Sequence, residues 1–304
     1  MKAEVQELQD AMRELGYIAE PSIATAVYLA ETMPKPLLIE GAAGVGKTEI
    51  AKVLAQHMDT ELIRLQCYEG LDVNTSLYEW NYQKQLLRLR IASEQHMQPE
   101  RREQPEQLEE IIFGRDYLLE RPLLRAITRP DAAPVLLIDE IDRADEGFEA
   151  FLLEVLSDFQ VTIPELGTIS ATHRPFVVLT SNRTRELGDA LRRRCLYLYI
   201  EHPSLEKEIE ILRTKVPEAD EHLATQIAAF MHELRKQRLM KPPGISETLD
   251  WARALTTLHR DRLDPQLVEE TLGCVLKDRY DIEELRGEAL EAVVTAAVAT
   301  ATTV

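Results

Sequence analysis

The 304-residue chain holds only three cysteines, Cys67, Cys195 and Cys274, too few and too scattered for a disulfide framework or a metal knuckle. A reducing, cytoplasmic setting is the expectation. Neither HExxH nor CxxC occurs, so the seven histidines read as surface or packing residues and not as zinc ligands. No run reaches the roughly 18 apolar residues of a membrane span, and the N-terminus is acidic where a signal peptide has its apolar core. Positive charge is scarce as well. The 35 Lys and Arg against 53 Asp and Glu give a formal charge of −18, which argues against nucleic acid or anionic lipid as the main partner. The excess is spread as −11 over residues 1–200 and −7 over residues 201–304, so no basic tail is hidden in the average. No repeat of solenoid period is present.

What is present is an ordinary globular composition, 45% hydrophobic and 29% charged, at a length suited to one large domain or two modest ones. Residues 3–15 and 22–32 read as helices. Short apolar runs at Pro36–Glu40, Leu62–Cys67, Pro134–Ile138, Pro175–Thr180 and Cys195–Ile200 alternate with segments of helical spacing, which implies a mainly parallel sheet covered by helices on both faces. From Pro203 onward only helical periodicity is found. The expected division is an α/β domain over 1–202 and a smaller all-helical domain over 203–304. Between the second and third runs lies an excursion, 68–130, whose polar stretch Ser93–Glu110 with Pro99 and Pro105 reads as an insertion or mobile loop. Trp80 and Tyr82, near Tyr78, are assigned to core packing in preference to a client-binding patch.

Three of only 12 glycines fall within Gly41-Ala42-Ala43-Gly44-Val45-Gly46-Lys47-Thr48, between a strand-length run and a helical segment. GxxxxGK[ST] in that context is the phosphate-binding loop: glycines let backbone N–H groups close on phosphate oxygens, and the following helix directs its positive end at the same anion. Lys47 is expected at the β and γ phosphates and Thr48 on Mg²⁺, with Glu49 counted beside them among the nucleotide-binding residues. A solvated glycine turn is the bland alternative, disfavoured by the match of pattern and context.

Val135-Leu136-Leu137-Ile138-Asp139-Glu140 puts two carboxylates where an apolar strand ends, the edge at which open parallel sheets bind ligands. Asp139 is expected to hold Mg²⁺ and Glu140 to orient and deprotonate an attacking water, which favours ATP hydrolysis over transfer to a metabolite. Asn182, at the end of Phe176–Asn182, has an amide able to meet both the γ-phosphate and that water. The only basic triplet, Arg192-Arg193-Arg194, either offsets the negative end of a helix or supplies an arginine finger to a neighbouring subunit.

In order, GAAGVGKT, VLLIDEID, TSN and LRRRC resemble the Walker A, Walker B, sensor 1 and arginine-finger elements of AAA+ ATPases over residues 16 to about 260. Asp139–Ala144, the helix carrying Phe148, Phe151, Leu152, Val155 and Leu156, and the hairpin-like Val161–Ile169 are similar to the MoxR group. Residues 68–92 resemble the insertion of relatives linked to carbon-monoxide dehydrogenase maturation. The resemblance implies a P-loop AAA+ core, a parallel five-stranded sheet between helices, followed by a helical lid. It also implies ATP and Mg as cofactors, adenine against Tyr17 and Ile18, and Arg194 or Arg193 as the finger. A homo-oligomeric six-membered ring, a client protein and a von Willebrand A-type partner follow from the same likeness. One departure stands out: Glu247 falls where many relatives carry a sensor 2 arginine, so either the alignment slips or the lid is coupled through other residues such as Lys241 or Arg253. A nucleic-acid motor and a nucleotide-dependent scaffold are the rival classes.

Overall fold

The computed structural model describes residues 2–95 and 105–303. Helices α1 (Lys2–Glu14) and α2 (Pro21–Thr32) precede strand β1 (Leu37–Gly41), helix α3 (Lys47–His57) and strand β2 (Leu62–Gln66). The excursion contains α4 (Val73–Ser76), β3 (Tyr78–Trp80), α5 (Tyr82–Gln95), α6 (Pro105–Ile112), β4 (Leu118–Glu120) and α7 (Pro122–Thr128). Then come β5 (Val135–Asp139), α8 (Glu146–Asp158), the hairpin β6 (Gln160–Ile163) and β7 (Gly167–Ser170), β8 (Phe176–Ser181), α9 (Asp189–Arg194) and β9 (Leu196–Ile200). The remainder is helical: α10 (Leu205–Lys215), α11 (Glu221–Arg235), α12 (Ile245–Thr257), α13 (Pro265–Val275), α14 (Arg279–Glu284) and α15 (Glu288–Thr303).

The five apolar runs form one parallel sheet in the order β2-β5-β8-β1-β9. β1, β5 and β8 are buried along their whole length, as strands covered on both faces must be, and this explains their unbroken apolar sequences. Within the polar stretch expected as an insertion or mobile loop, the described residues belong to two helices. α5 runs through Ser93 to Gln95, and Pro105 opens α6, a position its fixed φ and missing N–H suit. Residues 96–104, Pro99 included, lie outside the described part. The short antiparallel pair β3–β4 was not visible in the sequence, three residues being too few to show alternation. Trp80 packs edge-on against Phe113 and Tyr78, at ring distances of 5.3 and 6.0 Å, whereas Tyr82 is exposed.

The chain divides into two compact units. One comprises residues 1–25, 40–53 and 199–304; the other comprises 26–39 and 54–198. Each has its own core. In the first, the tilted rings of Phe230 and Trp251 pack at 5.0 Å and the indole N–H donates to Thr271 Oγ1 at 2.9 Å. Its helices start where short polar side chains cap them: Ser204, Asp220, Asp264 and Asp278 each accept a backbone N–H of the first turn. In the second unit Leu136, Ile138, Val177 and Leu179 meet Leu152, Val155 and Leu156 of α8. Among the described residues no helix is long and apolar enough to cross a membrane.

Candidate functional site

Two constellations hold the candidate residues, and each is built within one unit. The first is the loop between β1 and α3. Gly44 and Gly46 adopt φ of +75° and +93°, values that favour glycine because a Cβ would be strained there. Gly41 is needed for another reason: a Cβ on it would lie 2.4 Å from the Ile200 carbonyl oxygen. Val45 is buried and anchors the loop, while Ala42 and Ala43 lie toward its surface. Lys47 is buried, and its Nζ donates to the carbonyls of Gly41 at 2.9 Å and Ala42 at 2.6 Å. Thr48 and Glu49 follow in the first turn of α3, where backbone N–H groups lack acceptors inside the helix. The Glu49 carboxylate turns to Lys52 at 3.1 Å and Lys215 at 3.4 Å. Burial raises its pKa, but the two lysines together outweigh that and bring it below the ordinary value. Tyr17 reaches the loop, its ring 3.8 Å from where a Cβ on Gly46 would stand, and Ile18 is buried beside it in sequence. Burial, then Glu20 and Glu49, push the Tyr17 phenol pKa upward.

Such a loop fits a polyphosphate. It offers orphan helix N–H groups, glycine backbone free of side chains and one buried ammonium.

The second constellation lies at the end of β5. Asp139 is buried, and both its oxygens are engaged: Thr180 Oγ1 donates to Oδ1 at 2.5 Å, while Arg64 Nε and Nη2 donate to Oδ2 at 3.0 and 2.6 Å. Glu140 takes a left-handed conformation, φ 56° and ψ 50°, uncommon for a residue with a side chain and held here by its surroundings. Its N–H donates to Thr180 Oγ1 at 2.9 Å, and its carboxylate accepts from Gln66 Nε2 at 3.1 Å, Asn182 Nδ2 at 3.3 Å and Arg143 Nε at 2.8 Å. Thus the structure brings Asp139, Glu140 and Asn182 together. Asp142 ties the arrangement to the next loop, accepting from the backbone N–H of Asn182 at 3.2 Å and of Thr184 at 2.9 Å. Burial raises the Asp142 pKa, but these bonds and the Thr184 hydroxyl outweigh it and lower the value. Among the described residues no group of three or more His, Cys, Asp or Glu is placed to hold a metal. The donor set suits a cation that arrives with phosphate oxygens and keeps only one or two protein ligands, the usual habit of Mg²⁺.

Arg64, Gln66, Thr180 and Asp142 were missed as site residues by the sequence reading. Arg64 and Gln66 alternate with buried Ile63 and Leu65 along β2, a pattern that marks them as sharing one face but says nothing of which strand lies beside them.

The arginine triplet closes α9. Arg194 is held by its own chain, Nε donating to Ser157 Oγ at 2.6 Å and Nη1 to Ala190 O at 3.1 Å. Arg192 lies 5.6 Å over the Tyr197 ring. Arg193 is exposed. As for the segment after Pro243, Glu247 accepts the Gly244 N–H at 2.9 Å, Arg253 pairs with Asp250 at 3.3 Å, and the Lys241 N–H donates to Asp281 at 3.1 Å.

Residues 37–201, more than half the chain, match the family model of the ATPase family associated with various cellular activities. The chain belongs to the AAA family. This AAA protein is 27% identical over 271 residues to the gas vesicle ATPase GvpN of Haloferax mediterranei, covering 84% of this chain and 72% of GvpN. It is 28% identical over 178 residues to the chaperone protein ClpB of Streptomyces albus, covering 59% of this chain but only 17% of ClpB. Among solved structures, a RuvB mutant of Thermotoga maritima aligns with a TM-score of 0.48 at 19% identity, covering 86% of this AAA chain and 70% of that one.

Proposed function

We propose that this AAA protein is a MoxR-like, magnesium-dependent ATPase, converting ATP and water to ADP and phosphate, and that a ring of its subunits uses the cycle to remodel or activate a client protein. The observation that carries the hydrolytic part is Glu140. A carboxylate kept in a strained backbone conformation, oriented by Asn182 and Gln66 next to a second acid, suits a general base for water. Glycines 41, 44 and 46, with the α3 N–H groups, would cradle the phosphates; Lys47 would offset their charge; Thr48 and Asp139 would hold Mg²⁺. The metal supplies charge stabilisation and a fixed orientation for the phosphates when bound. Tyr17 and Ile18 would flank the base. Asn182 would position the water that Glu140 deprotonates.

The finger would act in trans. Arg194 is folded onto Ser157, which leaves exposed Arg193 as the guanidinium better placed to reach a neighbour, with Arg194 able to join it once its contact with Ser157 is given up. The client-directed role draws on the likeness to GvpN, an ATPase of gas vesicles by its name, and to a chaperone; a metalloenzyme undergoing maturation and a von Willebrand A-type partner are the specific expectations. An overall charge of −18 weighs against a nucleic-acid motor.

The test is a pair of variants. Lys47→Ala is expected to lose ATP binding by calorimetry, and Glu140→Gln to bind ATP as the wild type does while turnover stops. Equal ATP affinity in wild type and Lys47→Ala would overturn the proposal, as would undiminished turnover in Glu140→Gln. Mixing Arg193→Ala, Arg194→Ala subunits with Lys47→Ala subunits should restore part of the activity, because each supplies what the other lacks.

A further inference from the structure

The loop proposed to take a polyanion has a carboxylate set against it. Gly44 O accepts the N–H of Ile245 at 2.8 Å, so the start of α12 is fastened to the loop backbone within one compact unit. A Cβ on Gly44 would stand 2.7 Å from Ser246 Oγ and 3.1 Å from Glu247 Oε2, and one on Gly244 would stand 2.7 Å from both Ala43 O and Gly44 Cα. Contact this close is open only to two glycines facing each other. Glu247 is held in place there, its Oε2 accepting from Gly244 N–H at 2.9 Å and from Ser246 Oγ at 3.2 Å.

Capping accounts for the hydrogen bond and the dipole of α12 favours the charge, but neither requires the carboxylate to stand against the loop at Gly44. Among the described residues no lysine or arginine pairs with Glu247. The lysines of the loop and of the start of α3 have other partners: Lys47 the loop carbonyls, Lys52 and, from α10, Lys215 the Glu49 carboxylate. A fixed negative charge against Gly44 repels whatever anion the loop receives, and Coulomb repulsion grows with that anion's charge. Adenosine triphosphate carries one more phosphate than the diphosphate and about one more negative charge.

We propose that Glu247 is the residue by which the lid distinguishes nucleoside triphosphate from diphosphate: its carboxylate penalises the more highly charged ligand and drives the Gly244–Glu247 turn off the loop when that ligand is loaded. This rests on the loop being the nucleotide site. It assigns the lid a repulsive sensor where a cationic one would pull the lid inward.

Binding constants for ATP and ADP, measured by calorimetry with magnesium, provide the test in wild type, Glu247→Gln and Glu247→Asp. Glutamine keeps the acceptor and removes the charge; aspartate keeps the charge. The expected result is that Glu247→Gln tightens ATP at least threefold more than ADP, that Glu247→Asp keeps the wild-type ratio, and that added salt narrows the difference between wild type and Gln. Hydrogen exchange at Ile245 and Ser246 should be faster with a non-hydrolysable triphosphate than with ADP in wild type, and equal in Glu247→Gln. An ATP-to-ADP affinity ratio that stays within twofold of wild type in Glu247→Gln, or the same change in Glu247→Asp, overturns the assignment. Wild type that binds neither nucleotide overturns the proposed function as well, whereas binding with an unchanged ratio removes this inference alone.

Discussion

Arg64 places two donors, Nε and Nη2, on a single oxygen of Asp139, at 3.0 and 2.6 Å, although the two residues are 75 positions apart in the chain. Parallel pairing of β2 with β5 sets Gln66 opposite Asp139, and Arg64, two residues earlier on the same face, reaches diagonally across. Arg64 also donates to Gln66, which in turn donates to Glu140. One strand therefore orders both acids of the next.

Arg64→Ala is expected to leave a buried carboxylate without its cation. Asp139 is 4% exposed, but half of the Arg64 side chain is in solvent, so the loss in stability should be near the surface-pair range, about 1 kcal/mol. Thermal unfolding should show it. A melting temperature unmoved by the substitution would mean that the pair contributes nothing.

Gly244→Ala should destabilise the protein by about 1–3 kcal/mol, because the new methyl meets backbone atoms that cannot swing aside as a flexible side chain would. Gly273→Ala serves as the contrast. Its Cβ would enter open space on α13, and replacing glycine there should stabilise by about 0.5–1 kcal/mol. Urea unfolding of both variants checks the pair.

Below neutral pH the helical unit should weaken through His202. Its Nδ1 is buried and finds no hydrogen-bond partner among the described residues. Burial first, and then Arg235, lower its pKa from the ordinary 6.5, with Glu208 opposing. The unfolded chain then takes up the proton more readily than the folded one, so the contribution is complete above pH 6.5 and is lost as pH falls from there through the folded value. The difference in melting temperature between pH 7.5 and 5.5 should shrink in His202→Gln. An equal difference in the variant would assign the acid sensitivity elsewhere.

Thiol reactivity should separate the three cysteines. Burial, with the negative charges of Asp139, Asp142 and Glu140, pushes the Cys67 pKa to about 12, and burial pushes Cys195 to about 12 against the pull of Arg194 and Lys35. Neither forms thiolate near neutral pH. A disulfide reagent at pH 8 should label only half-buried Cys274 in the native protein, and Cys274→Ser should abolish the rapid reaction.

The conformation of the loop after β1 was legible because it is local. GAAGVGKT must turn through left-handed glycines and open a helix wherever it occurs, and both follow from residue types within eight positions. The central strands β1, β5 and β8 announced themselves by apolar runs because they are buried on both faces, while β2 and β9 alternate buried and exposed residues. The helix starts at Ser204, Asp220, Asp264 and Asp278 rest on short-range contacts too, a side-chain oxygen and an N–H a few residues on, though only helical periodicity was read from the sequence there. The excursion was less readable: α6 has a polar sequence resembling a loop, and β3 and β4 exist only because each pairs with the other.

What tertiary structure alone decided was which residues from different segments meet. Strand order put Arg64 and Gln66 beside Asp139 and Glu140; a different neighbour for β5 would have given the acids other partners. Chain reversal through the helical segment brought Gly244 onto Gly44 and stood Glu247 against the phosphate loop, a meeting that neither segment encodes alone. The physical reason is the range of the forces involved. Conformational preference and capping act within a turn of chain, whereas a salt bridge or a backbone contact depends on how the core has packed.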